Sequence, residues 1–179
     1  MKYKGVSKRF TSQQGGLFMN LVITMSRCFG TGASVIASEL SRQLNIPVYD
    51  KAYIGHEIET RNFASEAEAI KELAKNPCII LGRSASGILK DSSNTLNIYI
   101  CANKEDRVNR IMSLESLSYD DALAKIEKMD SARAKYYYEH TGKVWGDVND
   151  YHMILDTSKL GVENCAEILM QYFRKKEYI

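Results

Sequence analysis

The stretch Leu21-Val-Ile-Thr-Met-Ser-Arg27-Cys-Phe-Gly30-Thr-Gly32-Ala-Ser34-Val-Ile-Ala-Ser-Glu-Leu40 decides the fold. The run Asn20–Ser26 is short, mostly apolar and ends in a turn, the pattern of a parallel strand covered on both faces. Directly after it the apolar spacing changes: over residues 34–44, Val35, Ile36, Leu40 and Leu44 recur at helical intervals and predict one buried helix face. Between strand and helix lie Gly30 and Gly32. Glycines there let backbone N–H groups curl around an anion at the positive end of the helix, as in a phosphate-cradling loop. The full nucleotide-binding motif is Gly, four residues, Gly, Lys, then Ser or Thr. With Gly32 as its second glycine, Arg27 replaces the first, Ala33 replaces the lysine, and Ser34 keeps the hydroxyl. Two other readings of the same residues stay open. One is a dinucleotide-binding turn, with Val35 where a third small residue belongs and Asp50 at the end of the next strand as a ribose-binding acid. The other is a tight turn that binds nothing.

Outward from this stretch, strands and helices alternate. Residues 46–50, 77–82, 96–102 and 152–157 read as further strands. Ser65 with Glu68, Asn103 with Asp106, and Ser118 with Asp121 mark helix starts, the last opening a long helix to about Glu139. Residues 142–150 form a turn region and residues 162–173 a closing amphipathic helix. Nearly all-apolar strands alternating with helices predict an α/β fold: a mainly parallel five-stranded sheet between two helical layers. Ligands of such sheets bind beyond the carboxyl ends of the strands. Arg27, Asp50, Arg83 and Asp156 are expected to gather there.

The 179-residue chain suits one domain, and its 45% hydrophobic and 26% charged residues are those of an ordinary globule. No apolar run approaches the roughly 20 residues of a membrane helix, and no secretory signal is evident, so a cytoplasmic protein without a membrane partner is expected. Residues 1–18 hold four of the 24 basic side chains and none of the 22 acidic ones, which leaves the rest of the chain net acidic by two. That balance argues against a nucleic-acid partner. The first 18 residues read as a disordered leader, with Met19 as an alternative start. Cys28, Cys78, Cys101 and Cys165 lack the close spacing of a metal site. Cys28 alone falls in the glycine loop, and nothing nearby in sequence activates it.

Taken in order, seven segments resemble the cytidylate-kinase-like family of P-loop nucleoside monophosphate kinases. They are residues 23–32, 46–51, 78–83 (Cys-Ile-Ile-Leu-Gly-Arg), 106–110 (Asp-Arg-Val-Asn-Arg), 130–138 (Asp-Ser-Ala-Arg-Ala-Lys-Tyr-Tyr-Tyr), 141–145 (Thr-Gly-Lys-Val-Trp) and 151–158 (Tyr-His-Met-Ile-Leu-Asp-Thr-Ser). The resemblance implies a P-loop NTPase-like, three-layer α/β/α domain over residues 19–179. It also implies a helical lid at about 118–145 and a shortened acceptor-binding region at about 51–76. Its implied chemistry is transfer of the γ-phosphoryl of ATP, with Mg²⁺, to a nucleoside monophosphate, CMP first among them.

On that reading Gly30, Thr31, Gly32, Ala33 and Ser34 cradle the nucleotide phosphates, and the Ser34 hydroxyl meets the metal. Arg27 and Arg133 balance charge on the moving group, with Asp130 on the same helix face, while Asp50, Arg83 and Tyr137 meet the acceptor. Plainer roles stand beside these: an ion pair for Arg83, an intrahelical pair for Asp130 and Arg133, solvated side chains for Arg107 and Arg110, core anchors for Tyr136–Tyr138 and Trp145, and structural histidines. Because the loop lysine is missing, a non-catalytic nucleotide or phospholigand sensor is the alternative to a kinase.

Overall fold

The computed structural model describes residues 21–178; the expected leader at 1–18 and the start at Met19 lie outside them. Five strands form one sheet: β1 (Val22–Arg27), β2 (Val48–Tyr49), β3 (Cys78–Leu81), β4 (Thr95–Cys101) and β5 (Met153–Asp156). They are ordered β2-β3-β1-β4-β5, and every neighbouring pair is parallel. Since β3 separates β1 from β2, Asp50 at the end of β2 is not beside the glycine loop. The sheet therefore lacks the adjacent first and second strands that a dinucleotide fold uses to bring its ribose acid to the cofactor.

The period-two alternation of the strands divides the core. Ile23 and Met25 of β1, Ile79 and Leu81 of β3, and Leu96, Ile98 and Ile100 of β4 face α1 (Ala33–Leu44) and α8 (Val162–Lys175), where Ile36, Leu40, Leu169 and Phe173 are fully buried. Opposite them, Val22, Cys78 and Ile80 pack against α2 (Lys51–Arg61), α3 (Glu66–Leu73) and α4 (Ala85–Ile88). A third cluster joins α5 (Lys104–Glu115) to α6 (Tyr119–Thr141), with Phe29 packed against it. The result is the three-layer, P-loop-like architecture expected. Toward the carboxyl end, the second face of β1 and β4 turns polar: Thr24 donates to Asn97 Oδ1 at 2.8 Å, and Ser26 and Tyr99 are buried.

The cap residues act as their sequence predicts. Ser65, Asn103 and Ser118 each accept from the amide three residues on, at the starts of α3, α5 and α6. Two short helices escape the sequence reading, α4 and α7 (Thr157–Leu160), each too short to show a period. Val35 departs from expectation: it is 58% exposed, because Ala33, Ile36, Ala37, Leu40 and Leu44 complete the buried stripe and leave position 35 on its outer side. Phe173→Ala is expected to lower stability by about 3–5 kcal/mol, and Val35→Ala by less than about 0.5 kcal/mol; thermal unfolding of the two variants against the parent checks both.

Candidate active site

The turn from β1 into α1 is held by bonds to its carbonyl oxygens. Arg133 Nη1 donates to Arg27 O (3.0 Å), Arg107 Nη1 to Phe29 O (3.2 Å), Arg110 Nη1 to Gly30 O (2.9 Å), and the buried Thr157 hydroxyl to Thr31 O (2.9 Å). Gly30 and Gly32 have φ of +82° and +80°. A Cβ on Gly30 would lie 3.0 Å from Arg107 O, and one on Gly32 would lie 2.7 Å from Val162 Cγ2, so α5 and α8 both press on the turn. With its carbonyls turned outward to these donors, the turn keeps its amides for something else. No described residue accepts from the N–H groups of Gly30, Thr31, Gly32, Ala33 or Ser34. Phe29 N–H, just before them, donates to Asp130 Oδ1 at 2.7 Å, and Asp130 Oδ2 takes Arg107 Nη1 at 2.5 Å.

On the β3 side of this turn lies a cleft of about 430 Å³, lined among others by Arg27, Lys51, Gly82, Ser84, Arg133 and Tyr137. Arg27 runs across Gly82, whose missing Cβ leaves the guanidinium its space. No described residue accepts a hydrogen bond from that guanidinium. Burial first, then the charges of Arg133 and Arg83, lower its pKa to about 10, against a partial opposing effect of Asp50. Burial likewise lowers the pKa of Arg133, with Asp130 acting in the other direction.

Arg83 has a different setting. Its Nε and Nη2 both engage Glu66 of α3, the latter at 2.5 Å, and its guanidinium lies 4.1 Å over the Tyr136 ring. Tyr136 donates to the same carboxylate at 2.7 Å. The hydrogen bond with Glu66 raises the Arg83 pKa. Burial pushes Glu66 up, but the bonds from Arg83 and Tyr136 outweigh it and hold the carboxyl below its ordinary range. Gly82, Arg83 and Ser84 all have positive φ (+72°, +58° and +54°), a conformation that disfavours the two side-chain-bearing residues. Ser84 is 4% exposed, and its Oγ has no hydrogen-bond partner among the described residues.

On the other side of the turn a second, more open groove of about 440 Å³ is lined by Asp106, Asn109, Arg110, Ser113, Thr157 and Ser158 among others. Arg110 thus touches both the loop and this groove. The Cys28 thiol lies 3.1 Å from the Tyr99 hydroxyl, and burial raises its pKa, so it is not poised as a thiolate.

The profile of the cytidylate kinase-like family matches residues 52–159, more than half of the chain. The chain belongs to the cytidylate kinase-like family. A cytidylate kinase of Pyrobaculum islandicum is 24% identical over 170 residues, covering 85% of this chain and 92% of that protein. Among solved structures, an uncharacterized protein from Eubacterium ventriosum superposes with a TM-score of 0.80 at 23% identity, covering 88% of this chain and 99% of that one. Shikimate kinase from Acinetobacter baumannii, in complex with shikimate, gives 0.57 at 14% identity, covering 89% and 96%. The latter two likenesses concern the fold.

The structure brings together Arg27, Arg83, Arg133 and Tyr137 on one cleft and Gly30–Ser34 beside it. Ala33 is buried and Ser34 exposed in the first turn of α1. Asp50 instead caps α2, accepting from Tyr53 N at 2.9 Å, and Asp130 braces the loop without lining the cleft. Asp130 pairs with Arg107 of α5 and makes no ion pair with Arg133. Tyr137 donates to Asp150 at 3.2 Å. Sequence reasoning missed Glu66, Lys51 and Ser84; only the helix-start pattern at Ser65–Glu68 hinted that this region carried structure. Arg107, read as solvated, is 9% exposed.

Asp130→Ala would strand the Arg107 guanidinium and the Phe29 amide. Chemical denaturation should show a loss of about 2–4 kcal/mol. The sign of a pH effect at Glu66 follows from its lowered pKa. An unfolded glutamate titrates near about 4.3, so the pair stabilises fully above that pH and its contribution is lost as the pH falls through the folded value. Glu66→Gln should lower Tm at pH 7, and its deficit relative to the parent should shrink in melts below about pH 4.

Proposed function

We propose that the protein transfers the γ-phosphoryl of ATP, with Mg²⁺, to a nucleoside monophosphate, with CMP as the leading acceptor. The single observation that carries this reading is the row of unclaimed amides from Gly30 to Ser34 beside a cleft lined by three arginines. Phosphoryl transfer asks a protein mainly to position two phosphate groups in line and to neutralise the charge on the moving one. The amides and the start of α1 suit the donor's β-phosphate, and the groove along α5 and α7 suits the rest of the donor nucleotide. The cleft suits the acceptor. A phosphate oxygen of the acceptor forms the new bond to the γ-phosphorus as the bond to the ADP oxygen breaks, with no covalent enzyme intermediate. Arg133, anchored on the loop through Arg27 O, lies where it can follow charge from donor to acceptor.

Among the described residues no three His, Cys, Asp or Glu side chains converge as a metal site. Mg²⁺ therefore fits as the counter-ion of the nucleotide, with the Ser34 hydroxyl as the protein's contribution. The cytidylate kinases among the relatives and the family itself support this reading.

The buried Ala33 favours a second one. No lysine reaches the terminal phosphates from that position, and the loop's cationic neighbours come from α5 and α6 instead. Loss of turnover with retained ATP binding would make the protein a sensor. The two readings separate in an assay of ADP formation with ATP, Mg²⁺ and each of the four ribonucleoside monophosphates. The kinase reading predicts acceptor-dependent ADP release, fastest with CMP, and a kcat loss of about 10²–10³ in Arg133→Ala. Absence of turnover, together with a Tm that rises with ATP concentration, overturns it in favour of the sensor.

A further inference from the structure

We infer that Arg27 and Ser84, where β1 and β3 end side by side, are the ligands of the acceptor's phosphate, and that Arg83 is a strut between α3 and α6. This assignment rests on the nucleotide-kinase reading of the same cleft.

The cations of the cleft differ in whether they are free. Arg83 lines the cleft, but both arms of its fork are taken by Glu66, its face by Tyr136, and Tyr136 holds the same carboxylate. A bidentate guanidinium–carboxylate pair already uses the geometry with which arginine reads phosphate. Arg27 is the opposite case. It is half-buried, lines the cleft, and has no carboxylate within ion-pair distance and no acceptor among the described residues. A half-buried guanidinium without a counter-ion is partly stripped of water in the free protein, and an anion in the cleft is what relieves it. Its depressed pKa expresses the same frustration.

Ser84 adds an independent observation. Its hydroxyl is buried at the wall of the cleft and unpartnered, although burying an O–H without a bond is unfavourable. The amides of Arg83 and Ser84 likewise meet no described acceptor. The register sets the two ligands together: Met25 pairs with Leu81, so Arg27 leaves β1 beside Gly82, and Gly82 carries no Cβ to block it. Arg133 and Lys51 line the same cleft and complete a cationic pocket. A guanidinium, a hydroxyl and unbonded amides on the lining of one cleft suit a phosphomonoester. A cleft of about 430 Å³ lies within the usual range for a ligand of nucleotide size.

Calorimetric titration of the full chain with CMP, AMP, GMP and UMP, each against its own nucleoside, tests the assignment. The parent should bind one monophosphate at least tenfold more tightly than the nucleoside. Arg27→Met should lose tenfold or more of that advantage, and Ser84→Ala at least threefold, with nucleoside affinity unchanged. Arg27→Met should also melt no lower than the parent, because it removes a charge that has no partner in the free protein; a merely structural arginine would leave the opposite signature. Glu66→Ala frees Arg83 without removing it and should not tighten monophosphate binding.

Unchanged binding in Arg27→Met, or tighter binding in Glu66→Ala, overturns the assignment and leaves the kinase reading intact. Binding by the parent as described but without phosphoryl transfer supports the assignment and removes the kinase reading. A parent that binds none of the four monophosphates overturns both.

Discussion

The β1–α1 turn depends on the capture of its carbonyl oxygens. Arg107, Arg110, Arg133 and Thr157 come from three different elements and bind four carbonyls within five residues. Each bond pins a peptide plane; the Cys28 amide behind Arg27 O donates to Ile100 O, while those of Gly30, Thr31 and Gly32 behind the other three carbonyls meet no described acceptor. A turn of the same sequence without those donors would be free to satisfy its own backbone in other ways. The freedom of these amides is therefore a tertiary property. It is imposed by α5, α6 and α7, and the two glycines permit it.

Asp130 shows how closely loop and helices are bound together. One carboxylate ties the Phe29 amide to Arg107 and thus joins the turn after β1 to α5 and α6. The cleft on the other side carries features that do not help the fold: a half-buried guanidinium without a counter-ion, an unpartnered buried hydroxyl and two non-glycine residues in the left-handed region. Each is unfavourable in isolation, and such features gather at sites whose ligand is to satisfy them. The hydrophobic clusters on both faces of the sheet stabilise the fold in spite of them.

The fold was legible because it is written in short-range signals. Apolar strands spaced by helical patterns imply a parallel sheet, and Ser65, Asn103 and Ser118 announce their helices by side chains that reach only three residues ahead. Sequence spacing also suffices to place Arg27, Arg83 and Arg133 near one sheet edge. It does not tell which of them is free. Glu66 claims Arg83 across 17 residues, and Asp130 prefers Arg107, 23 residues away, to Arg133 three residues along its own helix. Only the packing of α3 against α4 and of α5 against α6 brings those partners within reach, so the candidate ligand set emerges from tertiary structure.

The most direct measurement is an amide ¹H–¹⁵N titration of the isotopically labelled chain with ATP and Mg²⁺. If the turn is an anion cradle, the resonances of Gly30, Thr31, Gly32, Ala33 and Ser34 will show the largest shifts and move together with one dissociation constant, while that of Phe29, already bonded to Asp130, will move less. Shifts confined to other parts of the chain, with these five unperturbed at saturating nucleotide, would contradict the account.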